Sequence, residues 1–477
     1  MGKLRENINK SALLQAFIVN ALIMALFLLI MHPYLENQAD VIMQDLIYGN
    51  YEAGVPTDAV LFSSFLLADV MTGLGGLMPG LPWYLIFHCA CCFFALVVIT
   101  DLIFRRAAGY EAKLLMTGLC IYLGYECYVV PGYLKTACLL SIASVSLLAG
   151  FILDETAHKK ACLIMGILTG ILASLTAFFV FAVFFALCAV LCLIYILAAR
   201  PCSSAKPCIA AKPCSSTNPG SDKKALRRRL IAGIAAAGCI YVAGAGLYYL
   251  DRLHYFSDPS LSASIAYRLG YEKCLSFGVP YFKYRDAELK AANDAVYRLG
   301  ALDTELVDTN ERLIYMAQAR LFPTLYEIGN FFTFEPDHIS HAPLLYFWGF
   351  LAYLLLRYGG KRGRTAVAVS AVSGIFTLFF MRQFLILGYY RMYTLEIMPF
   401  VFFLMLWADC IDYRPPAAGE EGSRRLLLAA DVLLAVFLGF IIFGADLPVK
   451  KDMVHETEVL YVEDDSTAQI DTEAEDQ

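Results

Sequence analysis

The chain has 477 residues, 59% of them hydrophobic and 17% charged, and a mean hydropathy of +0.61, whereas about a quarter of a soluble domain is charged. This excludes an ordinary soluble globule, and repeated apolar runs of about 20 residues predict α-helical membrane spans instead of the short alternating segments of a β-barrel. The net charge of −6 is concentrated in an acidic stretch from Asp452 to Asp476 and gives no reason to expect a nucleic-acid partner.

The expected fold is therefore an all-α polytopic bundle, with spans assigned by apolar length and orientation by where Lys and Arg accumulate in short loops. The first run, Ser11 to Met31, follows Lys3, Arg5 and Lys10 and is too long for a signal-peptide core, so it is expected to remain as an uncleaved anchor with its amino terminus inside. Leu81 to Phe104 returns to Arg105 and Arg106, Lys113 to Val129 goes out, and Tyr133 to Leu153 comes back to His158, Lys159 and Lys160. Ala161 to Ala199 is long enough for two helices turning near Ser174 to Phe178.

These residues, 1–199, form an expected N-terminal membrane bundle whose first outer loop is 32–80. Residues 200–229, with the near-repeat ARPCSS, AKPCIA, AKPCSS and then Lys223, Lys224, Arg227, Arg228 and Arg229, read as a basic low-complexity cytoplasmic linker. Cys202, Cys208 and Cys214 within it lack the CxxC pairing of a zinc site. The helix 230–250 then exits.

Residues 251–341 make an extracytoplasmic helical segment, in which Asp308 and Glu311 have the form of a capping box ahead of Leu313, Met316 and Ala317. Residues 342–444 hold the C-terminal membrane helices: Pro343 to Leu356, Thr365 to Leu387, Met392 to Trp407 and Leu426 to Phe443. The total is roughly eleven spans. The tail, 445–477, is too poor in apolar residues to fold and is expected to be disordered and extracytoplasmic.

The first outer loop carries the strongest signal. Asp40 opens the short helical pattern VIMQDLIYG, with Asp45 farther along and Gly49 as a stop. Two readings of Asp40 compete, a cap on its own helix and a catalytic carboxylate. A second helix, Ala59 to Leu74, is too short at about 24 Å for the 30 Å hydrocarbon core, so it is expected to lie in the interface or re-enter.

Ionisable residues near the outer ends of other spans form the second signal: Lys135, Glu126, Arg382, Arg391 and Glu396. Snorkelling accounts for Lys135 and Arg391 without a ligand. Arg382 needs a partner, and Glu396, Glu126 or a bound phosphate would serve. In PDHISH, His338 and His341 have ligand-like spacing with Asp337, but His near the start of a span is more often interfacial, and no metal or other cofactor is expected.

YGNYEAGVPTD, FSSFLLAD and MPGLPWY in the first loop, with GYLKTACLL, YFKYRDAELK, LGALDTELVDTNERLIYMAQ and GYYRMYTLEIMPF, resemble the GT-C class of multi-spanning glycosyltransferases, and more closely a group of bacterial envelope membrane proteins beside it. The resemblance implies transfer of a sugar from a polyprenyl-phosphate carrier to an envelope glycan or lipid acceptor at the outer face. It makes Asp40 the base, and Lys135, Arg382 and Arg391 the cations for the phosphate. Glu396, Asp45 and Glu126 complete the expected substrate-binding set.

Two departures stand out. Related sequences place two adjacent acidic residues where this chain has Ala39-Asp40, and a basic residue near Thr176-Ala177-Phe178. A transporter or flippase of lipid-linked sugars is the alternative, as is a non-catalytic assembly partner; charges clustered toward outer ends, without internal repeats, favour surface chemistry over passage.

Overall fold

The structure, a computed structural model, describes residues 11–35, 38–50, 56–58, 60, 63–106, 110–153, 159–198, 219–257, 342–384 and 392–410. All of them belong to one compact unit. The described residues are helical and contain no strand: α1 Ala12–Ile30, α2 Gln38–Tyr48, α3 Phe65–Leu77, α4 Trp83–Arg106, α5 Tyr110–Gly124 with a π-helical turn Tyr125–Val129, α6 Tyr133–Leu153, α7 Lys159–Thr176, α8 Phe178–Ala198, α9 Pro219–Phe256, α10 Ala342–Tyr358, α11 Gly360–Phe384 and α12 Met392–Leu406. Five of these, α1, α4, α6, α8 and the Lys224–Tyr255 part of α9, are long and apolar enough to cross a membrane.

Linker residues 200–218, the 258–341 segment with Asp337, His338 and His341, the span Leu426 to Phe443 and the acidic tail lie outside the described residues. Lys223, Lys224, Arg227, Arg228 and Arg229, expected in a linker ahead of a helix at 230–250, belong instead to α9, which starts at Pro219 because this stretch is rich in helix-forming Lys, Arg, Ala and Leu.

α6 is the centre of the bundle. Its apolar window is 83% buried, against 22% for α1 and for α9, and it packs on α4, α7, α8 and α9. Composition explains this position: Ala137, Ser141, Ala143, Ser144, Ala149 and Gly150 keep the helix slim, so neighbouring backbones approach closely. Its hydroxyls are satisfied without water, Ser141 bonding the Ala137 carbonyl at 2.7 Å and Ser144 reaching across to the Gly166 carbonyl of α7 at 2.7 Å.

Contacts along the helices fix their directions. Lys113 meets Gln15 and Tyr125 meets Phe27, so α5 runs with α1; Lys113 lies over Phe104 and Cys120 meets Thr100, so both run against α4. Phe178 stacks on Tyr248 of α9 and Phe181 lies against Tyr241, so α8 runs against α9, while Gly170 and Ser174 of α7 face Ile240 and Gly244, so α7 runs with α9. The run from Ala161 to Ala199 is therefore a hairpin, broken at Ala177 as expected.

One end of the bundle consequently gathers α2, α3 and the first turns of α4 and α6. The ends of α5, α7 and α9 meet them there. Arg105, Arg106, Lys113 and Lys160 fall at the opposite end.

Two details of the first loop follow from local chemistry. Gly49 ends α2 with φ +72°, and the Asn50 N–H reaches back to the Asp45 carbonyl at 2.9 Å, a left-handed helix stop that glycine adopts without a Cβ penalty. α3 begins at Phe65, six residues later than the expected Ala59. The reason is Ser64, extended at φ −71° and ψ 138°, whose hydroxyl accepts from the Leu66 N–H. At 13 residues, α3 is about 20 Å long and falls short of the hydrocarbon core.

Candidate functional site

Asp40 occupies the first turn of α2 and is fully buried. Its Oδ1 accepts the Tyr84 hydroxyl at 2.6 Å and the Tyr133 backbone N–H at 3.0 Å. Tyr133 is the first residue of α6 and Tyr84 the second of α4. Three helix starts thus converge on one carboxylate, and the positive end of each helix dipole favours its charge. The first N–H groups of a helix have no partner inside it, so Asp40 caps α6, in trans, as well as standing in the first turn of its own helix.

Tyr48, at the end of α2, locks the same corner. Its hydroxyl donates to the Leu81 carbonyl at 3.2 Å and accepts from the Tyr84 N–H at 3.3 Å, so it caps the start of α4.

Lys135 and Glu126 are the second pair. The ammonium Nζ lies 2.7 Å from Glu126 Oε2, 2.7 Å from the Val130 carbonyl and 3.1 Å from the Glu126 carbonyl. A π-helical turn leaves carbonyls turned out of the ladder, and the lysine gathers them. Three donors meet three acceptors inside the protein. Lys135, expected at an outer boundary as a phosphate ligand or a snorkelling residue, is fully buried, and Glu126 serves Lys135 instead of Arg382.

Asp45 differs from Asp40 although both sit on α2. It is half-buried, and burial pushes its carboxyl up to about 6, partly offset by a hydrogen bond from the Asn50 side chain. A carboxylate near neutrality and open to solvent has the protonation behaviour of a general base.

Sequence reasoning passed over His88, one turn below Tyr84 and edge-on to its ring at 4.4 Å. The His88 Nδ1 lies 2.9 Å from the Thr136 hydroxyl, which also reaches the Gly132 carbonyl at 2.9 Å and the Cys92 thiol at 3.5 Å. A histidine at i+4 from the first tyrosine of an apolar helix was the available signal.

The structure thus brings Asp40, Asp45, Glu126 and Lys135 to one end of the bundle. Arg382 lies near the end of α11 and Glu396 in the first turns of α12, with their side chains outside the described residues, as is Arg391 altogether. Among the described residues no cluster of three or more His, Cys, Asp or Glu is disposed to hold a metal ion. No family model, curated protein or solved structure matches the chain.

Proposed function

We propose that the chain is an integral-membrane glycosyltransferase-like protein that moves a sugar from a polyprenyl-phosphate carrier to an envelope glycan or lipid acceptor. The chemistry takes place at the extracytoplasmic membrane face, at the bundle end that carries α2 and α3. The remaining spans of the roughly eleven complete the bundle, with the basic end on the cytoplasmic side.

The observation that carries this reading is the division of labour on α2. Asp40 is tied to the starts of α4 and α6, which fixes the helix, while Asp45 on the same helix stays accessible with a carboxyl at about 6. A first-loop carboxylate acting as base is what the GT-C resemblance implies. Asp45 meets that requirement without rearrangement, and Asp40 positions it.

In the reaction, the acceptor oxygen bonds to the anomeric carbon as the bond from that carbon to the carrier phosphate breaks. Asp45 takes the acceptor hydroxyl proton, and the bonding pair leaves with the lipid phosphate. Arg382 and Arg391 are the cations proposed for that phosphate, since Lys135 is engaged by Glu126.

A non-catalytic assembly partner is the second reading, favoured by the internal satisfaction of Lys135 and Glu126. Cells carrying Asp45→Asn decide between them. The transferase reading expects the envelope glycan to lose its modification at unchanged protein level; the assembly reading expects an intact glycan.

A further inference from the structure

α9 has 38 residues and is about 57 Å long, against about 30 Å for the hydrocarbon core of a membrane. Its last turns are tied to the loop ahead of α3. Buried Asp251 accepts the Ser64 hydroxyl at 2.7 Å through Oδ1, and the Tyr255 hydroxyl reaches the Ser63 carbonyl at 3.3 Å. The apolar part of the helix ends at these polar ties. About 20 residues back from Asp251, the other hydrocarbon boundary falls near Ile231.

One side of α9 continues across that boundary and changes character there. Lys224, Arg227, Arg228, Ile231, Ile234 and Val242 are all exposed, and at about 100° per residue they share a side of the helix roughly 120° wide. The opposite side packs inward, Gly233 against Ile152 at the end of α6 and Ile240 against Gly170 of α7. A lipid-facing apolar stripe thus becomes cationic within two turns, with no break in the helix. Arg227 and Arg228 stand about 5 Å beyond Ile231 and Lys224 about 10 Å beyond it. The headgroup region, about 5–8 Å deep on each side of the core, lies at that depth.

α7 brings a further cation to the same level. It runs with α9, and ten residues back along both helices from the contact of Gly170 with Ile240, Lys160 is level with Leu230. Lys160 is exposed, as are Ile164 and Leu168 one and two turns farther along α7.

Lys160, Lys224, Arg227 and Arg228 form no salt bridge among the described residues, and Asp101 at this end of the bundle is taken by Arg105. Cations gathered at headgroup depth beside an apolar stripe match a ligand with a negative head and hydrocarbon tails.

We propose that Lys224, Arg227 and Arg228, with Lys160 beside them, form a binding site for an anionic phospholipid of the leaflet at the basic end of the bundle. Its acyl chains lie along Ile231 and Ile234. The guanidinium groups take phosphate oxygens, and the added positive charge selects a headgroup with net negative charge over a zwitterionic one. The site requires that α9 crosses the membrane, and it is independent of the transferase reading.

The test uses the full chain in nanodiscs of phosphatidylcholine mixed with phosphatidylglycerol, one of the two lipids carrying brominated acyl chains that quench tryptophan fluorescence. Ile231→Trp places a reporter one turn from the cations, and the signal of the parent chain is subtracted. The ratio of quenching by the two lipids gives their relative binding constants at this position. Phosphatidylglycerol is expected to be preferred at least ~10-fold, and each of Lys224→Gln, Arg227→Gln and Arg228→Gln to lower the preference about fivefold. The triple Gln variant should show none, whereas Arg227→Lys with Arg228→Lys keeps the charge and should keep the preference.

Equal binding constants for the two lipids overturn the proposal. So does a preference that the triple Gln variant retains. Lipid binding is read without any sugar transfer, so failure of this site and failure of the transferase reading are distinguishable.

Discussion

Asp40 and Tyr133, 93 residues apart in sequence, are joined by a carboxylate-to-peptide hydrogen bond of 3.0 Å at the point where α2 meets the start of the central helix. The bond ties the first loop to the best-buried span of the bundle. It also satisfies an N–H that α6 cannot satisfy itself.

Replacing Asp40 should accordingly act on stability first. Asp40→Ala leaves the Tyr84 hydroxyl and the Tyr133 N–H without this acceptor in a buried place, which is expected to cost about 2–4 kcal/mol. Asp40→Asn keeps an acceptor oxygen and is expected to cost less. Thermal unfolding of the detergent-solubilised chain checks the order: wild type above Asn above Ala.

Lys135 and Glu126 should behave as one unit. Lys135→Met strands a buried carboxylate and is expected to destabilise by about 3–5 kcal/mol, while Lys135→Met combined with Glu126→Leu should recover much of the loss. A double-mutant cycle on the unfolding midpoint measures the coupling. Additive losses would show that the two residues do not share one interaction.

Asp45 makes a pH-dependent contribution with a definite sign. Its folded carboxyl, at about 6, stands above the ordinary 3.8, so its stabilising share is full below ~4, falls as pH rises toward 6 and is gone above ~7. The full shift would correspond to about 3 kcal/mol, but partial exposure reduces it to about 1 kcal/mol. The stability difference between wild type and Asp45→Asn, followed from pH ~4 to ~8, should fall through that window and then stay level.

Much of this architecture was legible because it is written in local chemistry. Apolar length placed α6 at Tyr133 to Leu153, where the structure has it, and Gly49 marked the end of α2. The hairpin near Ala177 followed from a run too long for one span.

The start of α3 was misplaced because Thr57-Asp58 looks like a cap, and only tertiary contact reveals that Ser64 is held by Asp251 and by the Leu175 carbonyl. Partners were the illegible part. Glu126 and Lys135 are nine residues apart, across Pro131-Gly132 and a π-helical turn, a separation that no helical or strand periodicity brings together. Likewise nothing in the first loop announces that Asp40 will cap a helix from a later span.

The most direct test of the transferase account is release of polyprenyl phosphate from a polyprenyl-phosphate sugar by the purified full chain in lipid nanodiscs, with an envelope glycan fraction as acceptor, followed from pH ~5 to ~8. The account predicts acceptor-dependent release that rises with pH through about 6, then levels off, and falls by at least ~100-fold in Asp45→Asn. Release that is unchanged in Asp45→Asn, or that shows no rise through that range, would contradict it.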